Sequence, residues 1–155
     1  MRDKIKILFI CHGNICRSTM AQSVFAHMVK ERGLEELFYI DSAATSREEI
    51  GNGPHYGTVN QLRKVNIPVI PHRAVQMTKS DYEKYDYLIG MDTANIRNMN
   101  RIADGDPEGR FINCFPLKTT KPQGNWQRDM TWRIRGTREI LRRRTGMWWQ
   151  DVRDC

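Results

Sequence analysis

Residues 5–18 read IKILFICHGNICRS. The first seven, Ile5–Cys11, are almost all apolar, and such a run bounded by Gly13 and Asn14 is typical of a parallel strand buried on both faces. Apolar side chains then recur at helical spacing until Gly33 ends the pattern. This stretch therefore predicts a buried strand, a short loop and a helix.

The rest of the first 110 residues continues this alternation of strands and helices. Apolar runs predict three further strands, at Phe38–Ser42, Ile67–Ile70 and Tyr85–Met91. Helices are predicted at Thr58–Val65 and after Asp92, which is a suitable N-cap. Strands that alternate with helices favour an α/β fold with a doubly wound parallel sheet.

The positive charge of the chain is concentrated near its end. The 155 residues carry a formal net charge of +7, of which residues 1–110 contribute +1 and residues 111–155 contribute +6. The last part also contains all four Trp and the run Arg142–Arg144. A chain of this length is one domain. We divide it into a core at 1–110 and an atypical basic, Trp-rich part at 111–155.

The compartment is predicted from what the sequence lacks. The N-terminal apolar run is too short for a signal peptide or a membrane span, and no later stretch approaches about 20 apolar residues. Four Cys in a chain of this length are no secreted disulfide framework. We therefore expect a cytoplasmic protein with no membrane partner.

The segment between the first strand and the first helix predicts the chemistry. Ligands of open α/β sheets bind at the carboxyl ends of the strands, where loop amides and a helix N-terminus suit a tetrahedral anion. Arg17 can donate two parallel hydrogen bonds to phosphate oxygens. Such donors also favour the thiolate of Cys11, the nucleophilic form of a cysteine. The predicted phosphate-binding residues are His12, Gly13, Asn14, Ile15, Cys16, Arg17 and Ser18.

Other uses of this loop are disfavoured. Cys11 and Cys16 could form half of a zinc site, but no second Cys or His pair has the required spacing. We therefore expect no metal and no cofactor. Cys11 and Arg17 are the catalytic candidates of a nucleophilic phosphoryl-transfer site.

The first 110 residues resemble the low-molecular-weight protein tyrosine phosphatase family. The resemblance rests on five blocks in order: CHGNICRST (Cys11–Thr19), IDSAAT (Ile40–Thr45), PHRA (Pro71–Ala74), YDYLIGMD (Tyr85–Asp92) and NIRNMNR (Asn95–Arg101). It implies a three-layer fold whose parallel sheet has four strands and helices on both faces. It also implies hydrolysis of a phosphotyrosine protein or a small aryl phosphate through a phosphocysteine intermediate, without a cofactor.

The resemblance also implies roles for single residues of the loop. Cys11 would take the phosphoryl group, and Arg17 would hold its equatorial oxygens. Ser18 would hydrogen-bond the Cys11 thiolate and ease its departure. Cys16 would form a reversible disulfide with the nucleophile and protect it from over-oxidation.

Four further side chains would support the loop by the same resemblance. Asn14 would adopt a left-handed conformation tied to Ser42, and His72 and Asp92 would brace it. From the residues alone, Ser42 and Asp92 could equally be an ordinary turn residue and a helix cap. His72 is expected to be structural, because this chemistry needs no imidazole base.

The chain departs from the family in its second half. The family's general acid lies in an Asp-Pro-(Trp/Tyr)-Tyr motif, and none of the late Asp residues, Asp129, Asp151 and Asp154, is followed by Pro. The general acid is thus unassigned, and its loss would lower turnover by about 10²-fold or more. The loop Thr45–Tyr56 also carries charged residues where many relatives place an aromatic wall: Arg47, Glu48 and Glu49.

A shift of reading frame near codon 110 accounts for this departure. Residues 111–116 can be encoded TTT ATA AAC TGC TTT CCT, and the same bases regrouped after a preceding A give Ile-Tyr-Lys-Leu-Leu-Ser, a good fourth strand. Residues 132–141 can be encoded so that regrouping gives Ala-Asp-Pro-Trp-Tyr-Thr-Gly-Asp-Phe. We hypothesise that one base was lost and that residues 111–155 are a frame-shifted translation. The excess of Arg and Trp there then indicates no nucleic-acid partner.

Two other functions remain as alternatives. A thiol-dependent arsenate reductase shares this fold and loop, but it needs additional Cys, and none lies between Cys16 and Cys114. A non-catalytic module could bind phosphate or nucleic acid through the basic residues 118–144. Its nucleic-acid binding would be salt-sensitive and would persist when Cys11 is changed to Ser.

Resequencing the gene tests the frame hypothesis. We expect the second reading frame downstream of codon 110 to encode the Asp-Pro-Trp-Tyr motif without a stop codon before it. Codons that give no such motif when regrouped would refute the hypothesis.

Overall fold

The central sheet of the computed structural model, which describes residues 3–113, has four parallel strands. They are β1 (Ile5–Cys11), β2 (Phe38–Ala44), β3 (Tyr87–Gly90) and β4 (Phe111–Asn113), in the spatial order β2-β1-β3-β4. The chain leaves β1 toward β2 on one side and returns to β3 on the other. The carboxyl end of β1 is therefore the point at which the winding reverses, where such sheets bind their ligands.

Within the described part of the chain, four helices cover the two faces of the sheet. They are α1 (Arg17–Glu31), α2 (Tyr56–Lys64), α3 (Lys79–Lys84) and α4 (Thr93–Ala103), and a 3₁₀ turn occupies Glu35–Leu37. Residues of α1 and α2 join the core on one face, and residues of α3 and α4 join the core on the other. The predicted three-layer, doubly wound α/β fold is thus confirmed for residues 3–113.

Apart from the exposed Lys6, the strand β1 is apolar because it contributes to both cores. Ile7 and Phe9 belong to the core under α1, whereas Leu8 and Ile10 belong to the core under α4, and all four are at most 2% exposed. The alternation follows from the two-residue period of a strand. A strand buried on both faces therefore fixes the position of Cys11 at the carboxyl end of β1.

The core under α1 is centred on three aromatic rings. Phe25 of α1 is fully buried and packs edge-on against Phe9 at 5.9 Å and Phe38 at 5.5 Å between ring centroids. Edge-to-face pairs of this kind stabilise the core beyond the area they bury. They fix α1, and with it Arg17, against β1 and β2.

The structure corrects several predicted elements. Ile67–Ile70 is not a strand: Pro68 has no amide hydrogen for a ladder, and the amide of Ile70 instead donates to Ser23 Oγ of α1 at 3.2 Å. The strand predicted at Tyr85–Met91 is shorter, and the helix predicted at Thr58–Val65 begins at Tyr56.

The sequence pattern did not predict the helix α3. The six-residue α3 has a capping box in which Thr78 and Asp81 satisfy each other's backbone amides. The short strand β4 follows at Phe111–Asn113. The basic, Trp-rich part from residue 114 onward lies outside the described residues.

Replacing Phe25 tests the aromatic core. We expect Phe25→Ala to lower the free energy of unfolding by about 3–5 kcal/mol, the usual cost of emptying a buried aromatic site, and Phe25→Leu to cost less. Tyr56→Ala is the matched control, because Tyr56 is 74% exposed, and it should change stability by about 0.5 kcal/mol or less. Urea unfolding followed by circular dichroism measures all three; similar losses for Phe25→Ala and Tyr56→Ala would contradict the assignment.

Candidate active site

The loop between β1 and α1 leads into a helix N-terminus that has no side-chain cap. The N-cap of α1 is Cys16, whose side chain makes no capping hydrogen bond, and the first turn of α1 contains no acidic residue. The first amides of a helix have no partner within the helix. An uncapped helix N-terminus of this kind is suited to an anion.

The sulfur of Cys11 lies at the floor of this loop. Cys11 is 3% exposed, and its Sγ accepts a hydrogen bond from the Asn14 amide at 3.2 Å and lies 3.0 Å from Ser18 Oγ. Ser18 Oγ also accepts a hydrogen bond from Asn14 Nδ2 at 2.9 Å. The single hydroxyl proton of Ser18 is therefore free to point at the sulfur, where it stabilises a thiolate.

The side chain of Asn14 connects the loop to its surroundings. Asn14 is fully buried and has a left-handed backbone, with φ of 57°. Its Nδ2 donates to Ser18 Oγ and to Ser42 Oγ, both at 2.9 Å. Its Oδ1 accepts from His72 Nε2 at 2.6 Å and from the Val75 amide at 3.2 Å. All four hydrogen bonds that an amide side chain can make are thus formed.

The partners of Asn14 are held in place by contacts of their own. Ser42 donates its hydroxyl proton to Gln22 Oε1 of α1 at 2.6 Å and is therefore an acceptor for Asn14. Because the carbonyl of Asn14 accepts, His72 must carry its proton on Nε2. His72 Nδ1 lies 3.8 Å from Asp41 Oδ1. Burial lowers the pKa of His72 more than the Asp41 carboxylate raises it, so the ring is neutral.

Arg17 is oriented by a carboxylate that follows β3. Arg17 Nη1 donates to Asp92 Oδ2 at 2.5 Å, and Asp92 Oδ1 accepts the Asn95 amide at 2.7 Å as the N-cap of α4. Burial raises the pKa of Asp92, but hydrogen bonds from Arg17 and the backbone outweigh it and hold the pKa below its usual value. Asp92 is therefore charged at neutral pH and positions Arg17, whose other N–H groups can hold phosphate.

Cys16 is the second thiol of the loop. Both Cys11 and Cys16 are free thiols. Burial is the main cause that raises the pKa of Cys16, and a hydrogen bond with Thr58 opposes it. The raised pKa favours the neutral thiol of Cys16 at neutral pH, and its implied role as a disulfide partner stays a prediction.

The structure brings together the residues that the sequence predicted for this site. Ser42 comes from β2, Asp92 follows β3, and His72 lies in the segment between α2 and α3. Ile15 is fixed by its carbonyl, which accepts the His55 amide at 2.7 Å. Among residues 3–113, no group of three His, Cys, Asp or Glu side chains could hold a metal ion. Asp129, Asp151 and Asp154 lie outside the described residues.

Three contacts escaped the sequence reasoning. Gln22 binds Ser42, His12 Nε2 lies 3.0 Å from Glu48 Oε2, and the side chain of Glu49 covers Gly13. Gln22 stands one turn into a predicted helix and carries no recognisable motif. The residues of the other two contacts, His12 with Glu48 and Gly13 with Glu49, are about 36 positions apart in the chain. A local sequence pattern cannot predict contacts between residues so far apart.

Comparisons with known proteins agree with this geometry. A family model described as low molecular weight phosphotyrosine protein phosphatase matches residues 6–111. Proteins of that name from Homo sapiens and Schizosaccharomyces pombe are 44% and 43% identical over 95 and 103 residues, which are 61% and 66% of this chain. The chain spans 60% and 65% of those two relatives.

Solved structures show the same fold. YfkJ from Bacillus subtilis, known from a crystal structure, is 29% identical in sequence and superposes with a TM-score of 0.81. The alignment covers 93% of this chain and 99% of the YfkJ chain. A low molecular weight protein tyrosine phosphatase from Streptococcus pyogenes is 29% identical in sequence, with a TM-score of 0.73. That alignment covers 90% of this chain and 93% of the Streptococcus pyogenes chain. Since the family model matches well over half of the residues, the chain belongs to the low molecular weight phosphotyrosine protein phosphatase family.

Proposed function

We propose that this protein hydrolyses phosphomonoesters of tyrosine or small aryl alcohols through a cysteine nucleophile. The observation that carries the proposal is the environment of Cys11, whose sulfur receives the Asn14 amide and the Ser18 hydroxyl beneath an uncapped helix N-terminus. Family membership and the names of the relatives support the same chemistry and substrate class.

The reaction follows from these positions in two steps. The Cys11 thiolate attacks phosphorus, and the aryl oxygen leaves with the electron pair of the broken P–O bond and takes up a proton. Arg17 and the loop amides stabilise the negative charge on the transferred oxygens. Water then attacks the phosphocysteine, and the thiolate leaves while Ser18 donates a hydrogen bond to it. The products are the alcohol and inorganic phosphate.

The carboxylate that orients Arg17 is not suited to protonate the leaving group. Asp92 is held charged by Arg17, so its pKa is too low for a proton donor at neutral pH. The match to the family model ends at residue 111, which supports the proposal that later residues are read out of frame. Turnover by the 155-residue chain should therefore be slow, and phosphate binding should be retained.

The compartment stays a prediction. No helix among residues 3–113 is long and apolar enough to cross a bilayer.

Replacing Cys11 tests the nucleophile. We expect Cys11→Ser to reduce hydrolysis of an aryl phosphate by about 10³-fold or more, because the covalent step is lost. Cys155→Ser removes a thiol from the far end of the chain and should leave the rate unchanged. Release of the aryl alcohol measures turnover, and vanadate binding shows whether the loop is intact. Equal rates for Cys11→Ser and the unmodified chain would refute the mechanism.

The neutral His72 makes the loop sensitive to acid. Because the pKa of His72 is lowered in the folded protein, the unfolded chain binds a proton at higher pH than the folded chain does. Stability from this site is therefore complete above about pH 6.5 and is lost as pH falls through the lowered pKa.

Replacing His72 with a donor that does not titrate tests this sensitivity. A Gln side chain can donate to Asn14 Oδ1 without taking up a proton. We expect the free energy of unfolding to fall less steeply toward acid pH in His72→Gln, by up to about 1.4 kcal/mol per pH unit. His27→Gln on α1 is the control and should retain the steep slope. Urea unfolding at a series of pH values measures the slopes, and parallel curves for His72→Gln and the unmodified chain would contradict the assignment.

A further inference from the structure

The open side of the phosphate loop is bordered by a segment that follows β2. The Thr45 amide donates to the Cys11 carbonyl at 2.9 Å, and the Ser46 amide donates to the His12 carbonyl at 3.1 Å. These two bonds attach residues 45–50 directly to the loop backbone. We call His12, Glu48 and Glu49 the rim.

The side chains of Glu48 and Glu49 both contact residues of the loop. Glu48 Oε2 lies 3.0 Å from His12 Nε2, the residue next to the nucleophile. Glu49 Cγ lies 3.3 Å from the point where a Cβ on Gly13 would be, so its side chain lies against the loop backbone. Asn52 Nδ2 donates to Glu49 Oε2 at 2.7 Å and holds that carboxylate in place.

A neighbouring cation does not cancel these charges at the loop. Arg47 is exposed and precedes Glu48 in the chain. Within residues 3–113 it makes no hydrogen bond or ion pair with the loop, whereas both carboxylates are held there by contacts. The rim therefore presents net negative charge beside a site built for an anion.

The phosphoryl group and the groups beside the ester would bind at different depths of the site. Cys11, to which phosphorus must bond, is 3% exposed, whereas the side chain of Glu48 is 71% exposed. The phosphoryl group thus lies among the amides and Arg17, and the groups beside the ester remain at the rim. Repulsion between the rim and the phosphoryl group is common to all substrates, so differences among substrates arise from those neighbouring groups.

We propose that His12, Glu48 and Glu49 determine specificity by favouring phosphotyrosyl peptides with Lys or Arg beside the phosphotyrosine over peptides with acidic neighbours. The inference rests on the proposed function of the loop. Carboxylates attract cationic side chains and repel acidic ones, and exposed pairs of this kind change affinity by roughly 2- to 5-fold each. The effect is screened by salt.

Binding of two matched peptides to the full chain tests the rim. Both contain a non-hydrolysable phosphonate analogue of phosphotyrosine, flanked by Arg in one peptide and by Glu in the other. We expect the Arg peptide to bind about 5- to 20-fold more tightly at low salt, with a smaller ratio at high salt. In Glu48→Gln/Glu49→Gln the ratio should fall toward about one to two.

The control removes the same charge from a similar pair elsewhere. His27 Nε2 lies 3.0 Å from Glu31 Oε1 on α1, and Glu31 is about 21 Å along the helix axis from Arg17 at 1.5 Å per residue. Glu31→Gln should therefore keep the full preference for the Arg peptide. Phenylphosphonate has no charged neighbours, and its retained binding shows that the loop of each variant is intact.

The outcomes separate this inference from the proposed function. If phenylphosphonate binds but the two peptides bind equally, the rim does not select and only the inference fails. A preference that survives Glu48→Gln/Glu49→Gln, or that is lost equally in Glu31→Gln, also overturns it. If phenylphosphonate does not bind the unmodified chain, both the proposed function and the inference fail.

Discussion

The four hydrogen bonds of the Asn14 amide are the constraint on which this active site depends. They join the loop to α1 through Ser18, to β2 through Ser42 and to the segment before α3 through His72 and Val75. A left-handed backbone costs a residue other than glycine about 1 kcal/mol or more, and a buried amide without partners would cost more. The surroundings satisfy the amide in this conformation, and they therefore favour this shape of the loop before a substrate binds.

The position of the loop follows from the sheet. β1 lies between β2 and β3 and is buried on both faces, so packing in two hydrophobic cores fixes the position of Cys11. The neighbouring strands end at the same edge, which places Ser42 and Asp92 on either side of the loop. The supporting residues are distant in sequence, but parallel strands deliver them to one place.

The sequence predicted the site better than it predicted some of the elements around it. The apolar run Ile5–Cys11 and the loop that follows combine a strand pattern with a fixed spacing of chemical groups, and both are local. Ile67–Ile70 looks like a strand by composition, but Pro68 and a hydrogen bond to α1 exclude it from the sheet. The His12–Glu48 contact joins residues 36 apart and left no local trace. Sequence patterns predict a site whose residues are close together in the chain. They do not predict contacts between residues that only the fold brings together.

The uncapped N-terminus of α1 also links occupancy of the site to the stability of the whole domain. A ligand that binds only the folded state stabilises it by thermodynamic linkage, by about 2.7 kcal/mol at a hundredfold excess over its dissociation constant. An anion bound at this loop would supply the cap that Cys16 does not, at the start of the helix that carries Phe25 into the core. Inorganic phosphate, the product of the proposed reaction, would then also stabilise the folded domain.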